Sequence, residues 1–147
     1  MANDFIAKAS TTIQAPAAAV WDALVDPEKI REYMFGTTVV TDWREGSPIT
    51  WKGEWKGKPY EDKGTILRFA APRILEYTHF SPLTGEADLP ENYHTVTIEL
   101  AEAGPATNLT LTQNHNDTEE ARQESEKNWT TMLDGIKKIV DASSGKG

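Results

Sequence analysis

The residues of this chain whose types and spacing could do chemistry are its histidines. The sequence has three, His79, His94 and His115, and each shares the strand alternation of its apolar neighbours, as Gln113 also does. His79 ends one predicted strand, His94 begins the next and His115 ends the one after. In consecutive antiparallel strands those positions lie at the same end of a sheet. The pattern therefore predicts a polar row on the inner face of the sheet, at one end.

The register of the strands decides how close these side chains lie. If the turn after residue 103 pairs Leu100 with Leu109, His94 falls opposite His115, with Cβ atoms about 5 Å apart. The pairing of His79 with His94 depends on a long loop. The plainest interpretation is that the row rims the core and meets water. The alternatives are that it orients a ligand, that it acts as a general acid or base, or that three imidazoles bind zinc. No carboxylate is recognised beside the histidines, so we expect no metal and no cofactor.

Large apolar side chains accompany the polar row on the same surfaces. Aromatic residues supply buried area in any core, but large rings on a concave sheet also leave irregular gaps that favour a pocket. The first half of the C-terminal helix is polar, with Ser125, Glu126 and Asn128 among its residues, which predicts a cavity mouth at this end. The predicted ligand-binding residues are Trp51, Trp55, Tyr77, His79, His94, Gln113, His115, Trp129 and Met132.

The elements that must position these residues follow from periodicity. Period-two alternation predicts strands, and spacings of three and four predict helices. The chain is predicted to be one α+β domain over residues 1–147, with a core from about residue 4 to 142. A curved antiparallel sheet wraps around a C-terminal helix of about 25 residues, and two short helices follow the first strand. The predicted strands cover residues 5–14, 37–43, 49–56, 64–71, 75–79, 94–100 and 109–115.

The acidic side chains are interpreted as structural or solvated. Asp117 and Glu120 have the spacing of a capping box at the start of the C-terminal helix. No pair of carboxylates stands out as an acid and a base, and no catalytic residue is assigned. The carboxylates that look solvated are Asp42, Glu54, Glu61, Asp62 and Glu76.

Composition excludes several classes of function. The chain has 147 residues, a formal net charge of −8 and no cysteine. Disulfides and thiolate chemistry are therefore excluded, and the acidic balance argues against nucleic-acid binding and against docking on anionic membranes. No apolar run is long enough for a membrane span, and no secretory signal is visible, so a cytoplasmic location is expected.

Several stretches resemble a known family. They read IQAPAAAVWDAL at residues 13–24, WKG at 51–53, GTIL at 64–67 and PRILEYT at 72–78. In this respect the chain resembles the START-like (SRPBCC) superfamily, and within it the single-domain members of the family named for the activator of the heat-shock-protein-90 ATPase. The resemblance implies a helix-grip fold with a cavity between sheet and helix, in which related domains hold lipids, sterols, hormones or polyketides.

The function expected from these observations is the binding of a small hydrophobic or amphipathic molecule between the sheet and the C-terminal helix. Two alternatives stay open: a cyclase-like enzyme that uses a cavity histidine, and a chaperone-activator-like interaction module. Co-chaperone members carry an extra N-terminal domain for which this chain has no room, so a chaperone partner is not expected. A weak homodimer is left open.

Overall fold

The chain runs through a strand, two short helices, six further strands and one long helix. In the computed structural model the described residues are 5–34, 36–55, 57–81, 87, 89, 92–116 and 118–144, with only the backbone described for 55, 115 and 141–144. The helices are α1 (Ala17–Val25), α2 (Pro27–Tyr33) and α3 (Glu119–Ser144). The strands are β1 (Phe5–Ile13), β2 (Thr38–Thr41), β3 (Pro48–Trp55), β4 (Lys58–Ala70), β5 (Ile74–His79), β6 (His94–Ala103) and β7 (Ala106–Asn116).

The seven strands form one curved antiparallel sheet in the order β1-β7-β6-β5-β4-β3-β2. β1 pairs with β7, and the strands from β2 to β7 each pair with the next one along the chain. Leu100 lies opposite Leu109, as the turn chemistry predicts. The predicted α+β helix-grip fold, with two short helices after the first strand, is confirmed.

Strand β4 changes partner along its length. Its first part pairs with β3 and its last part, from Ile66, pairs with β5, with a bulge between Ile66 and Arg68. Gly64 lies just before this change, and a Cβ built on it would lie 1.7 Å from the carbonyl oxygen of Thr78. The Thr78 hydroxyl accepts a hydrogen bond from the backbone N–H of Thr65 at 2.9 Å. A glycine and a bulge together therefore let the two strands approach and bend the sheet.

The long helix α3 covers the inner face of the sheet. It packs on β1 and β7 and on both short helices. Its apolar stripe includes Leu133 and Ile136, which are fully buried, and burying such a side chain contributes about 1.5–3 kcal/mol. Gly135 allows α2 to approach, because a Cβ there would lie 3.0 Å from the Cβ of Tyr33. The fully buried part of the α3 stripe, at Leu133 and Ile136, therefore follows the α3 residues that line a cavity, which end at Met132.

The boundary of β4 corrects one interpretation made from the sequence. The strand begins at Lys58 rather than at residue 64, and it pairs Asp62 with Trp51. Residues directly opposite each other in a sheet point to the same face, so Asp62 is on the inner face, with a side chain only 16% exposed. The interpretation of Asp62 as solvated is therefore wrong, because residues 58–63, for which the sequence predicts no strand, form the first part of β4.

Glu76 is a second carboxylate that is less solvated than its sequence context indicates. It is 19% exposed, accepts a hydrogen bond from the Thr97 hydroxyl at 2.7 Å, and pairs with Arg68. Burial on its own raises the pKa of this carboxyl group, but the hydrogen bonds from Arg68 and Thr97 and the Arg68 charge outweigh burial and lower the pKa below its usual value. Glu76 therefore favours the folded state most when it is ionised.

The start of α3 is capped by Thr118. Its hydroxyl oxygen accepts a hydrogen bond from the backbone N–H of Ala121 at 3.0 Å, which is the geometry of an N-cap. Asp117, the cap suggested by the sequence, lies outside the described residues. Glu119 and Glu120 occupy the first turn, where negative charge is favourable to the helix dipole. In the described part of the chain, no helix combines the length and the apolar character that crossing a bilayer requires.

Candidate functional site: a cavity under the long helix

A cavity of about 400 Å³, the main cavity, lies between the sheet and the first half of α3. Three parts of the chain enclose it: the end of α2 with the turn after it, the β3–β4 hairpin, and α3 together with β7. Its volume is within the range of small-molecule sites in proteins. The lining residues are Tyr33, Met34, Thr37, Glu54, Tyr60, Gln113, Ser125, Asn128, Trp129 and Met132.

One wall of the main cavity is a hydrogen-bonded pair between the sheet and the helix. The indole N–H of Trp129 donates to the side-chain oxygen of Gln113. Because the indole can only donate, this contact fixes the orientation of the amide and leaves its two N–H donors for a further partner. Asn116 donates to the Gln113 carbonyl at 3.1 Å and accepts from the Ser125 hydroxyl at 2.8 Å. These bonds join β7 to α3 and hold the wall in place.

The opposite wall contains a pair of hydroxyl groups. The oxygens of Tyr60 and Thr37 are 2.6 Å apart, and the Thr37 hydroxyl donates to the carbonyl of Met34 at 2.8 Å. Since threonine has one hydroxyl proton, Tyr60 is the donor of this pair. Tyr60 lies opposite Gly53, and a Cβ on Gly53 would be 2.6 Å from the Tyr60 hydroxyl oxygen. Gly53 therefore makes the room that the Tyr60 ring occupies.

A smaller cavity of about 130 Å³, the side cavity, also borders Gln113 and Trp129. Because this pair lines both cavities, it forms the partition between them. Phe80, which is 4% exposed and stacks on Tyr93, supplies an aromatic wall. The other lining residues are His79, Ser81, Asn92 and His94.

The two histidines of the side cavity have fixed hydrogen-bond partners. His79 and His94 are directly opposite each other in β5 and β6. Nε2 of His79 is 2.9 Å from Oδ2 of Asp62, and Nδ1 of His94 is 2.9 Å from the carbonyl oxygen of Asn114. A carbonyl oxygen and an ionised carboxylate only accept, so both of these nitrogens carry protons. In the neutral imidazoles the other two nitrogens are therefore acceptors.

Trp51 and Tyr77 lie deeper, next to a void of only about 30 Å³. Their ring centroids are 5.2 Å apart. Burial raises the pKa of the Tyr77 phenol well above its usual range. The pKa of Tyr33 is raised by burial first and by its electrostatic interactions with Tyr77 and Asp26 second. Both phenols are therefore protonated donors at neutral pH, and that of Tyr33 donates to the Ala23 carbonyl at 2.9 Å.

Five of the residues predicted from the sequence to bind a ligand lie around these two cavities. Met132, Trp129 and Gln113 line the main cavity. His79 and His94 line the side cavity together with the same Trp129 and Gln113. The register of β5, β6 and β7 brings His79, His94 and Gln113 to one end of the sheet, and Trp129 of α3 joins them through its hydrogen bond to Gln113.

Of the remaining four predicted residues, two have described side chains, and neither lines a cavity of ligand size. Trp51 and Tyr77 are 5% and 7% exposed and pack as core around the small void. The side chains of Trp55 and His115 are outside the described part of the structure, and their binding roles stay predictions.

Alternation does not point to Tyr33, Thr37 or Tyr60, although all three line the main cavity. Tyr33 looks like ordinary helix core, and Thr37 and Tyr60 lie in segments with weak periodicity. The available signal is Gly53, a glycine among tryptophans on an inner face, which indicates that a neighbouring side chain needs its space. Alternation also misses Asp62, because the sequence predicts that this strand begins at residue 64, whereas β4 begins at Lys58.

Charge is scarce in both cavities. Among the described lining residues Glu54 carries the only permanent charge, and its side chain is exposed; no lysine or arginine is present. The described residues contain no group of three or more His, Asp or Glu side chains arranged to hold a metal ion. The arrangement is suited to binding a neutral molecule through apolar contact and a few oriented hydrogen bonds.

Comparison with known families gives the class of the protein. The family described as Activator of Hsp90 ATPase homolog 1-like protein matches residues 14–141. The chain therefore belongs to this family, and its structural neighbours are START-like (SRPBCC) proteins. Among curated proteins, none matches this chain.

Solved structures share the fold over nearly the whole chain. The solution structure of ChR145 from Cytophaga hutchinsonii is 59% identical, covering 96% of this chain and 97% of that one, with a TM-score of 0.84. CalU16 from Micromonospora echinospora is 25% identical, covering 93% and 73%, with a TM-score of 0.71. Ara h 8.0201 is 14% identical, covering 93% and 97%, with a TM-score of 0.74, and shows the fold alone.

Proposed function

We propose that this protein binds a small, neutral, largely apolar molecule in the main cavity. The observation that carries the proposal is the cavity of about 400 Å³ between the sheet and α3. Met34, Trp129 and Met132 give it apolar surface, and Gln113 and Tyr60 give it fixed polar groups. Such a combination is typical of ligand sites. Removal of apolar ligand surface from water would drive binding, and the polar groups would select the ligand.

The charge distribution supports a neutral ligand. A carboxylate or phosphate inside the main cavity would lose its water without gaining a cation among the described lining residues. An unpaired buried charge is strongly unfavourable. Membership in a family known for ligand binding agrees with this proposal and leaves the chemical identity of the ligand open.

Native mass spectrometry of the purified protein is the first test, followed by denaturing extraction of any bound molecule. The proposal predicts a co-purifying neutral compound, or saturable binding of the neutral fluorescent probe N-phenyl-1-naphthylamine by protein that is purified empty. A protein that is purified empty and does not bind the probe would contradict the proposal.

A pair of variants on α3 tests whether the main cavity is the site. Asn128 lines the cavity at the surface, whereas its neighbour Lys127 is exposed and does not line it. Asn128→Phe places a ring at the mouth and should weaken probe binding by about tenfold, the equivalent of about 1.4 kcal/mol. Lys127→Phe adds the same ring outside the cavity and should leave probe affinity unchanged. Equal affinities for the two variants would place the probe elsewhere.

A further inference from the structure

The Asp62 carboxylate is not among the groups that line the main cavity. Oδ2 of Asp62 lies 2.9 Å from Nε2 of His79, and its Oδ1 atom is buried with no hydrogen-bond partner among the described residues. A half-paired buried carboxylate is unfavourable for stability unless its charge serves a purpose. Its one strong contact is with a histidine that lines the side cavity.

That contact fixes the chemistry of His79. An ionised carboxylate accepts the Nε2 proton, so the lone pair of the neutral imidazole is on Nδ1, and the negative charge makes this nitrogen a stronger acceptor. The ring is also held by an edge contact with Trp51, whose centroid is 5.0 Å away. His79 is therefore a hydrogen-bond acceptor whose orientation is fixed.

The rest of the side cavity agrees with a particular ligand group. His94 gives its Nδ1 proton to the Asn114 carbonyl and so keeps a second acceptor nitrogen. Phe80 and Trp129 supply aromatic surface. A volume of about 130 Å³ is close to the roughly 150 Å³ that is sufficient for benzene in an apolar cavity. Two acceptors beside aromatic walls suit a single ring that carries a hydrogen-bond donor.

We propose that the side cavity binds an acidic hydroxyl group, a phenol or an enol, with His79 as its hydrogen-bond acceptor and Asp62 as the residue that positions His79. The ligand hydroxyl donates to Nδ1 of His79, and the ring or enol plane packs between the aromatic walls. This inference goes beyond the proposed function, because the side cavity lies behind the Gln113–Trp129 pair and is a second binding site beside the main cavity.

Phenol and fluorobenzene test the inference directly, because they have similar shapes and only phenol donates. Affinities of both are measured by ligand-observed NMR for the wild type and for Asp62→Asn, and the phenol-to-fluorobenzene affinity ratio is compared. Loss of a hydrogen bond to a charge-supported acceptor is expected to lower that ratio by about tenfold. Asp62→Asn removes the charge and lets an amide N–H donate to Nε2, which shifts the imidazole proton to Nδ1.

Two further variants separate this effect from a general loss of structure. His79→Phe keeps a ring against Trp51, removes both nitrogens, and should lower the ratio by the same factor. Glu76→Gln is the matched control, since the Glu76 carboxylate is about as buried as that of Asp62 but lies on the face of β5 opposite to His79. Its ratio should equal that of the wild type.

Each outcome decides between the two proposals. A ratio that falls in Asp62→Asn and His79→Phe but not in Glu76→Gln supports the inference. Binding of both compounds with an unchanged ratio in all variants overturns the inference and leaves the proposed function standing. Absence of phenol binding overturns the inference, and an empty main cavity in the probe titration overturns the proposed function as well.

Discussion

Gly53→Ala should separate ligand binding from stability. The Cβ that it adds would lie 2.6 Å from the hydroxyl oxygen of Tyr60, 2.8 Å from its Cζ and 3.0 Å from its Cε2. An ordinary contact needs about 3.4 Å, so the ring edge must move by about 0.8 Å. The 2.6 Å bond between Tyr60 and Thr37 then lengthens to the limit of a hydrogen bond.

The expected change in the free energy of unfolding is small because two contributions oppose each other. Losing the hydroxyl pair costs about 1 kcal/mol. Replacing a strand glycine by alanine recovers about 0.5–1 kcal/mol of backbone entropy. The backbone entropy gain affects stability and does not affect ligand affinity. Tyr60 lines the main cavity, so its displacement changes the binding surface directly. We expect the affinity for N-phenyl-1-naphthylamine to fall by about tenfold, equivalent to about 1.4 kcal/mol.

Urea unfolding and probe titration measure the two quantities on the same samples. Gly104→Ala is the control, because Gly104 has a φ of 64°, no atoms within 4 Å of its added Cβ, and a position in the β6–β7 turn away from the cavities. It should lose about 1 kcal/mol of stability through backbone strain and keep wild-type affinity. Wild-type affinity in Gly53→Ala would refute the placement of Tyr60 over Gly53.

Three further predictions concern the sheet and the partition. Gly64→Ala should lower the melting temperature sharply or prevent folding, since its Cβ would lie 1.7 Å from the carbonyl oxygen of Thr78 and the cost exceeds the usual 1–3 kcal/mol of overpacking; a wild-type thermal melt would contradict this. Glu76→Gln should remove up to about 1 kcal/mol of stability at neutral pH. The folded-state pKa of Glu76 is lowered, so its contribution to stability is complete above the unfolded value of about 4.3 and disappears as pH falls through the folded pKa. The unfolding curves of the wild type and Glu76→Gln should therefore differ at neutral pH and converge at acid pH, and a difference that does not change with pH would contradict this. Gln113→Leu leaves the part-buried N–H of Trp129 unpaired and should cost about 1 kcal/mol of stability. The same substitution should cost much less in a protein that already carries Trp129→Phe, and additive losses in this double-mutant cycle would exclude the bond.

The sequence predicts the fold because its local signals agree with one another. Clean alternation in β3, β6 and β7 gives the inner face, and the turn at Gly104 sets the pairing of Leu100 with Leu109. The apolar stripe of α3 supplies a large cover for that face, so sheet and helix must pack together. The curvature of the sheet does not follow from periodicity, and it is predicted by the resemblance to the START-like family.

The site is predicted less completely, because cavities depend on packing rather than on pattern. Trp51 and Tyr77 have the right parity for a cavity wall, yet they fill their own space and leave a void of only about 30 Å³. Tyr60 reaches the main cavity through its contact over Gly53, a feature of register and not of alternation. Asp62 is missed because the charged residues beside it favour an exposed segment, whereas pairing with β3 makes the segment a strand and places Asp62 opposite Trp51.

The most direct test of the account is a methyl NMR titration with N-phenyl-1-naphthylamine on protein labelled at its methionines. The sequence has three, Met1, Met34 and Met132, and the last two line the main cavity. A ligand that enters the main cavity should shift the Met34 and Met132 methyl signals saturably. Unchanged Met34 and Met132 signals at saturating probe would contradict a binding cavity between the sheet and α3.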